Sequence, residues 1–199
     1  MRTFNNLPLY VAEITDPAEG IFDISLVEDP AVKRDFVLFK DQEELTFQVQ
    51  DESKRIISGV VMLADTPIFR RSPSLGEYYI VFSKDTIELM VEKMSLENKL
   101  NNITLNHDGQ LVEGVTLMEL FFKDSSRGLN PSYLKDVPEG SLVASYKVEN
   151  DKVWDLVKAG EFKGFSLTGL FSVMLPPEEN SLDDVLNLLE EVKAKYKLK

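Results

Sequence analysis

The chain has no cysteine and one histidine in 199 residues. The missing cysteine removes disulfide frameworks, thiol nucleophiles and thiolate metal sites, and with a single histidine it argues against a zinc centre. Basic residues are short as well: 22 Lys+Arg face 34 Asp+Glu, a formal charge of −12. That excess repels a phosphate backbone and an anionic membrane surface, so neither nucleic acid nor membrane is expected as a partner. No run approaches the roughly 18 consecutive apolar residues of a spanning helix, and the start, Met1 to Asn6, lacks a signal-peptide core. These absences lead to the expectation of a cytosolic protein whose one available imidazole base is His107.

Hydrophobic residues make up 43% of the chain, enough for a real core. The pattern reads as one domain over 1–175 and an amphipathic helical tail over 176–199. Ile21 to Val27 is an extended apolar stretch that stops at Pro30. Residues 40–54 look like a hairpin or a solvated connector, and Ile56 to Leu63 like a buried strand. The stretch from Asp65 to Gly76 is rich in turn residues and reads as a loop, with Tyr78 to Phe82 a strand after it. Ser83 is placed to cap a helix with Ile87, Met90, Val91 and Met94 on one face. Strands are expected again at Ile103 to Leu105, Val112 to Phe122, Leu142 to Val148 and Gly164 to Leu175. Asn150 caps a short helix that Gly160 ends, with Val153, Trp154 and Val157 inward. In the tail, Leu182, Val185, Leu186, Leu189 and Val192 form an apolar stripe, with acids at its start and lysines at its end.

Two segments carry residues suited to chemistry. In Gly164-Phe165-Ser166-Leu167-Thr168-Gly169, a strand would send Phe165 and Leu167 inward and Ser166 and Thr168 outward, giving an accessible hydroxyl between glycines. The spacing G-x-S-x-x-G, with no following strand-to-helix turn, differs from the nucleophile elbow of α/β-hydrolases. In Asn106-His107-Asp108-Gly109 a histidine stands at a strand end; a serine needs such a base, and the base needs a third group to fix its tautomer. Acids available for that role are Asp108, Glu113, Glu119 and Asp23. Glu119 lies within the apolar run Val115 to Phe122, where an unpaired charge is costly, or else marks a solvent-facing position of a half-exposed strand. Arg70 and Arg71 read as loop charges able to steer an acidic substrate.

Taken in order, Ile24-Ser25-Leu26-Val27-Glu28-Asp29-Pro30, Ile57-Ser58-Gly59-Val60-Val61, Asn106-His107-Asp108, Gly114-Val115-Thr116-Leu117-Met118-Glu119, Asp151-Lys152-Val153-Trp154 and Gly164-Phe165-Ser166-Leu167 resemble the XkdF-like phage prohead proteases. The resemblance runs from about residue 20 to about residue 172. It implies a relation to herpesvirus assemblin-type proteases and an α+β fold: a mostly antiparallel, β-barrel-like sheet flanked by helices, followed by the C-terminal amphipathic helix. It further implies a serine endopeptidase with Ser166 as nucleophile, His107 as base and Glu119 as the orienting acid, needing no cofactor and no metal. In typical members a strand like "EVSLV" follows the serine, whereas Asp23-Ile24-Ser25-Leu26-Val27 here precedes everything else. Circular permutation would put Asp23 in the place of that glutamate. The resemblance implies scaffold and major capsid proteins as partners, cut inside the immature capsid in the host cytoplasm. The tail helix is expected to dock on scaffold or on a second copy. The alternative reading is a non-enzymatic virion or scaffold-associated protein that retains the fold.

Overall fold

The computed structural model describes residues 2–28 and 48–175. The strands are β1 (Thr3–Phe4), β2 (Leu7–Glu13), β3 (Gly20–Val27), β4 (Gln48–Asp51), β5 (Ile56–Met62), β6 (Ile68–Ser72) and β7 (Gly76–Val81). Helix α1 (Lys84–Leu96) follows, then β8 (Ile103–Leu105), β9 (Val115–Phe122), β10 (Leu142–Val148), helix α2 (Asp151–Lys158), β11 (Gly164–Leu170) and β12 (Ser172–Met174). The chain is thus mostly β with two helices among the described residues, in keeping with an α+β class.

Among the described residues the strands form three sheets rather than a closed barrel. One runs β1-β2-β7-β6 with β12 on β2, a second runs β4-β5-β10-β9, and a small third runs β11-β3-β8. Most pairings are antiparallel; β2 with β7 and β3 with β8 are parallel. The expected C-terminal helix falls in 176–199, outside the described residues.

One core joins all three sheets. On β10, Leu142, Ala144, Tyr146 and Val148 enter it, together with Ile57 of β5, Ile24 and Leu26 of β3 and Phe165 of β11. The alternation on β10 was legible as a half-buried strand, yet its other face is covered as well. Val143 packs with Val60, Leu134 and Val137 in a second, smaller cluster beneath the segment 123–141. Helix α1 is capped by Ser83, whose side chain accepts from the Thr86 N–H, and it buries Ile87, Met90 and Met94. Helix α2 is capped by Asn150 and buries Val153, Trp154 and Val157, ending at Gly160 with φ +71°. Asp65 to Gly76 departs from expectation, because Ile68–Ser72 is a strand paired with β7 and carries Arg70 and Arg71, the latter ion-paired with Glu77.

The segment 123–141 is pinned electrostatically. Lys123 is 5% exposed; its Nζ donates to the Val137 carbonyl and lies 3.2 Å from Glu139. The Ser125 hydroxyl and backbone N–H both donate to Glu139, and these bonds with the nearby ammonium hold its carboxyl down from 4.5 to about 2.

Two predictions follow from this frame. A Cβ at Gly169 would stand 2.7 Å from the Gly20 carbonyl oxygen, so Gly169→Ala should wedge β11 from β3 and cost roughly 1–3 kcal/mol in urea unfolding. Because the folded pKa of Glu139 is depressed, its stabilising contribution is complete above pH 4.5 and is lost as pH falls towards 2. The urea midpoint of the wild type should therefore fall more steeply over that window than that of Glu139→Gln; equal slopes would remove the clamp from the account.

Candidate active site

The small sheet builds the site through its register. β11 pairs antiparallel with β3, setting Ser166 opposite Ser25 and Thr168 opposite Asp23, while β8 runs parallel to β3 with Thr104 beside Ser25. Directly paired residues point to the same side of a sheet, as do residues two apart on one strand. Ser166, Thr168, Ser25, Asp23 and Thr104 therefore share a face, while Phe165, Ile24 and Leu26 fill the core behind it. The strand from the N-terminal part of the chain thus lies directly beside the serine strand.

His107 arrives at this face from the turn after β8. Asn106 and His107 both adopt left-handed backbone, φ +45° and +59°, a conformation costly for a residue with a side chain. Two anchors hold it. Ser25, fully buried, accepts the His107 N–H at 2.9 Å through its hydroxyl. Asn106 exchanges bonds with Glu28: its Oδ1 accepts the Glu28 N–H at 3.1 Å and its Nδ2 donates to Glu28 Oε1 at 2.8 Å.

The ring itself is oriented by a relay. His107 Nδ1 lies 2.9 Å from Thr168 Oγ1, which donates to Asp23 Oδ1 at 3.0 Å. Thr104 Oγ1 donates to the same carboxylate oxygen at 2.8 Å. Thr168 has one hydroxyl proton, and a carboxylate oxygen only accepts, so that proton points at Asp23. The Thr168 oxygen then accepts from His107, which puts the ring proton on Nδ1 and leaves the Nε2 lone pair free. That is the tautomer a general base requires.

The sequence candidates divide between two places. Ser166, His107 and Asp23 converge on the small sheet. No hydrogen bond joins Ser166 Oγ to the imidazole among the described residues. Glu119 lies on β9 in the second sheet, where Ser145 Oγ donates to it at 2.7 Å; no hydrogen bond links it to His107. Asp108 accepts from the Gln110 N–H within its own turn, and the Glu113 side chain is exposed. Thr168 and Ser25 were missed as partners of the histidine, and Thr104 as a partner of Asp23. The outward alternation of β11 had pointed to Thr168, but only the β3–β11 register links it to Asp23.

Residues 44–175 match the family model described as "Putative phage serine protease XkdF". The chain belongs to this family. No curated protein and no solved structure matches it. Ser166, His107, Thr168 and Glu119 fall within the matched residues, whereas Asp23 and Ser25 precede them.

The anchoring of the turn can be tested apart from any activity. Ser25→Ala leaves the His107 N–H without its buried acceptor and should lower stability by about 1–3 kcal/mol in urea titration. An unchanged midpoint would mean that the turn does not depend on this bond.

Proposed function

We propose that the chain is a serine endopeptidase in which Ser166 is the nucleophile, His107 the base, and Asp23, acting through Thr168, the acid that orients the imidazole. The observation that carries this reading is the His107–Thr168–Asp23 relay on the face that also bears Ser166. Ser166 Oγ attacks the peptide carbonyl while His107 Nε2 takes its proton and returns it to the leaving amine. As the imidazolium forms, its Nδ1–H stays bonded to Thr168, whose own proton is held by the Asp23 carboxylate, so the new charge is stabilised without moving a second proton. Family membership supports a protease role in general.

The substrates proposed are the phage scaffold and major capsid proteins, cut inside the immature capsid in the host cytoplasm, with no cofactor. The tail 176–199 is proposed to dock on scaffold or on a second copy. The absence of a Ser166–His107 hydrogen bond favours a second reading, a virion or scaffold-associated protein that keeps the fold without the chemistry. Catalytic hydrogen bonds are often loose until substrate is bound, so this observation weighs less than the relay.

Co-expression with the adjacent coat and scaffold proteins separates the two readings. Wild type should release coat and scaffold fragments and Ser166→Ala none; the same fragments from both would end the protease reading. Asp23→Asn should lower kcat by roughly 10²- to 10⁴-fold with little change in KM, since it removes the group that fixes the tautomer. A kcat that falls with Glu119→Gln and not with Asp23→Asn would return the orienting role to Glu119.

A further inference from the structure

The second sheet carries its own polar construction, remote in chemistry from the relay. Its outer face opens into a groove of about 910 Å³ whose lining includes Ile56, Met118, Phe121, Leu129, Tyr133 and Glu119. The register between β9 and β10 slips between Ser145 and Tyr146: Ser145 pairs with Glu119 and Tyr146 with Leu117, leaving Met118 as the extra residue of a bulge. A bulge of this kind turns neighbouring side chains to one side of the strand. It explains how Met118, 53% exposed, and Glu119 both line the groove while Leu117 packs on the core; Leu120 packs on the core and also borders the groove.

Beneath Glu119 runs a chain of buried hydroxyls. Ser145 Oγ donates to Glu119 Oε2 at 2.7 Å, and Ser58 Oγ stands 2.7 Å from Ser145 Oγ. Since the Ser145 proton is committed to Glu119, the Ser58 proton points at Ser145. Tyr133 stands on the groove wall beside Ser58, and burial raises its phenol above the ordinary value, opposed by its contact with Ser58 and aided by the Glu119 charge. The Ser58 and Ser145 hydroxyls are thus ranked towards one carboxylate. Of the other charges lining the groove, Lys54 is paired with Asp51 at 3.3 Å. Glu119 has no cationic partner among the described residues. Glu119 is exposed at the groove, beside the apolar side chains of Met118 and Phe121.

We propose that this groove is a docking site for a peptide segment of another polypeptide that carries a lysine or arginine flanked by apolar side chains. The cation meets Glu119, and its neighbours cover Met118 and Phe121. A chain of net charge −12 also draws a cationic segment from a distance. The site is separate from the hydroxyl face of the small sheet, and its occupancy does not depend on whether Ser166 is a nucleophile.

The test is a titration of the ¹⁵N-labelled full chain with acetyl-Leu-Lys-Leu-amide and with acetyl-Leu-Glu-Leu-amide. The lysine peptide should shift the amides of Met118 to Phe121, Ser145 and Leu129, and the glutamate peptide should not. Glu119→Gln keeps an acceptor for Ser145 and should weaken the lysine peptide roughly tenfold, the size of one charge-assisted hydrogen bond. Met118→Lys supplies an internal cation and should abolish binding; it decides the question if the glutamine variant does not fold. Equal response to both peptides, shifts confined to other surfaces, or unchanged affinity in the variants would overturn the proposal. So would resonances of 176–199 that move on Glu119→Gln without peptide, because the chain's own tail would then be the occupant.

Discussion

The antiparallel pairing of β3 with β11 is the constraint on which the site depends. It joins a strand near one end of the chain to a strand near the other, setting Asp23 opposite Thr168 and Ser25 opposite Ser166. Side chains alternate with a period of two along a strand, so a slip of one residue would send all four to the wrong face and force core residues outward. The apolar alternation of Ile24, Leu26 and Phe165 into the core therefore fixes the polar constellation as well. Packing energy on one side of the sheet positions chemistry on the other.

Local features of the fold were legible because they rest on local physics. Ser83 and Asn150 cap the helices expected of them, and the strands of the central core lie where β-branched and apolar residues alternate. β6 was hidden because Pro67, Pro73 and Gly76 bracket it and turn residues dominate its flanks. The barrel-like expectation is not confirmed: the described strands form three sheets, and closure depends on which strand edges meet rather than on any strand's own pattern.

The site was half legible for the same reason. A lone histidine and a serine between glycines stand out in any reading of the sequence, but Ser25 and Thr104 are small polar residues inside apolar strands. Their meaning emerges only from the neighbours that sheet pairing gives them. Glu119 drew attention through its apolar surroundings, and a one-residue bulge is what relieves that conflict by turning it out towards Ser145. Charge in a hydrophobic run thus signalled a polar network, without saying which histidine-bearing or histidine-free face the network would occupy.

Thr168 and Asp23 are separated by 145 positions in the chain, yet one hydroxyl bridges them. Synthesis proceeds from the N-terminus, so Asp23 leaves the ribosome well before β11. The relay cannot exist on a partly made chain, because its central oxygen has not yet been added. On the proposed mechanism, a polypeptide released short of residue 166 keeps its imidazole but has neither nucleophile nor relay. On that mechanism the late strand, closing on the early one, is what completes the proposed site.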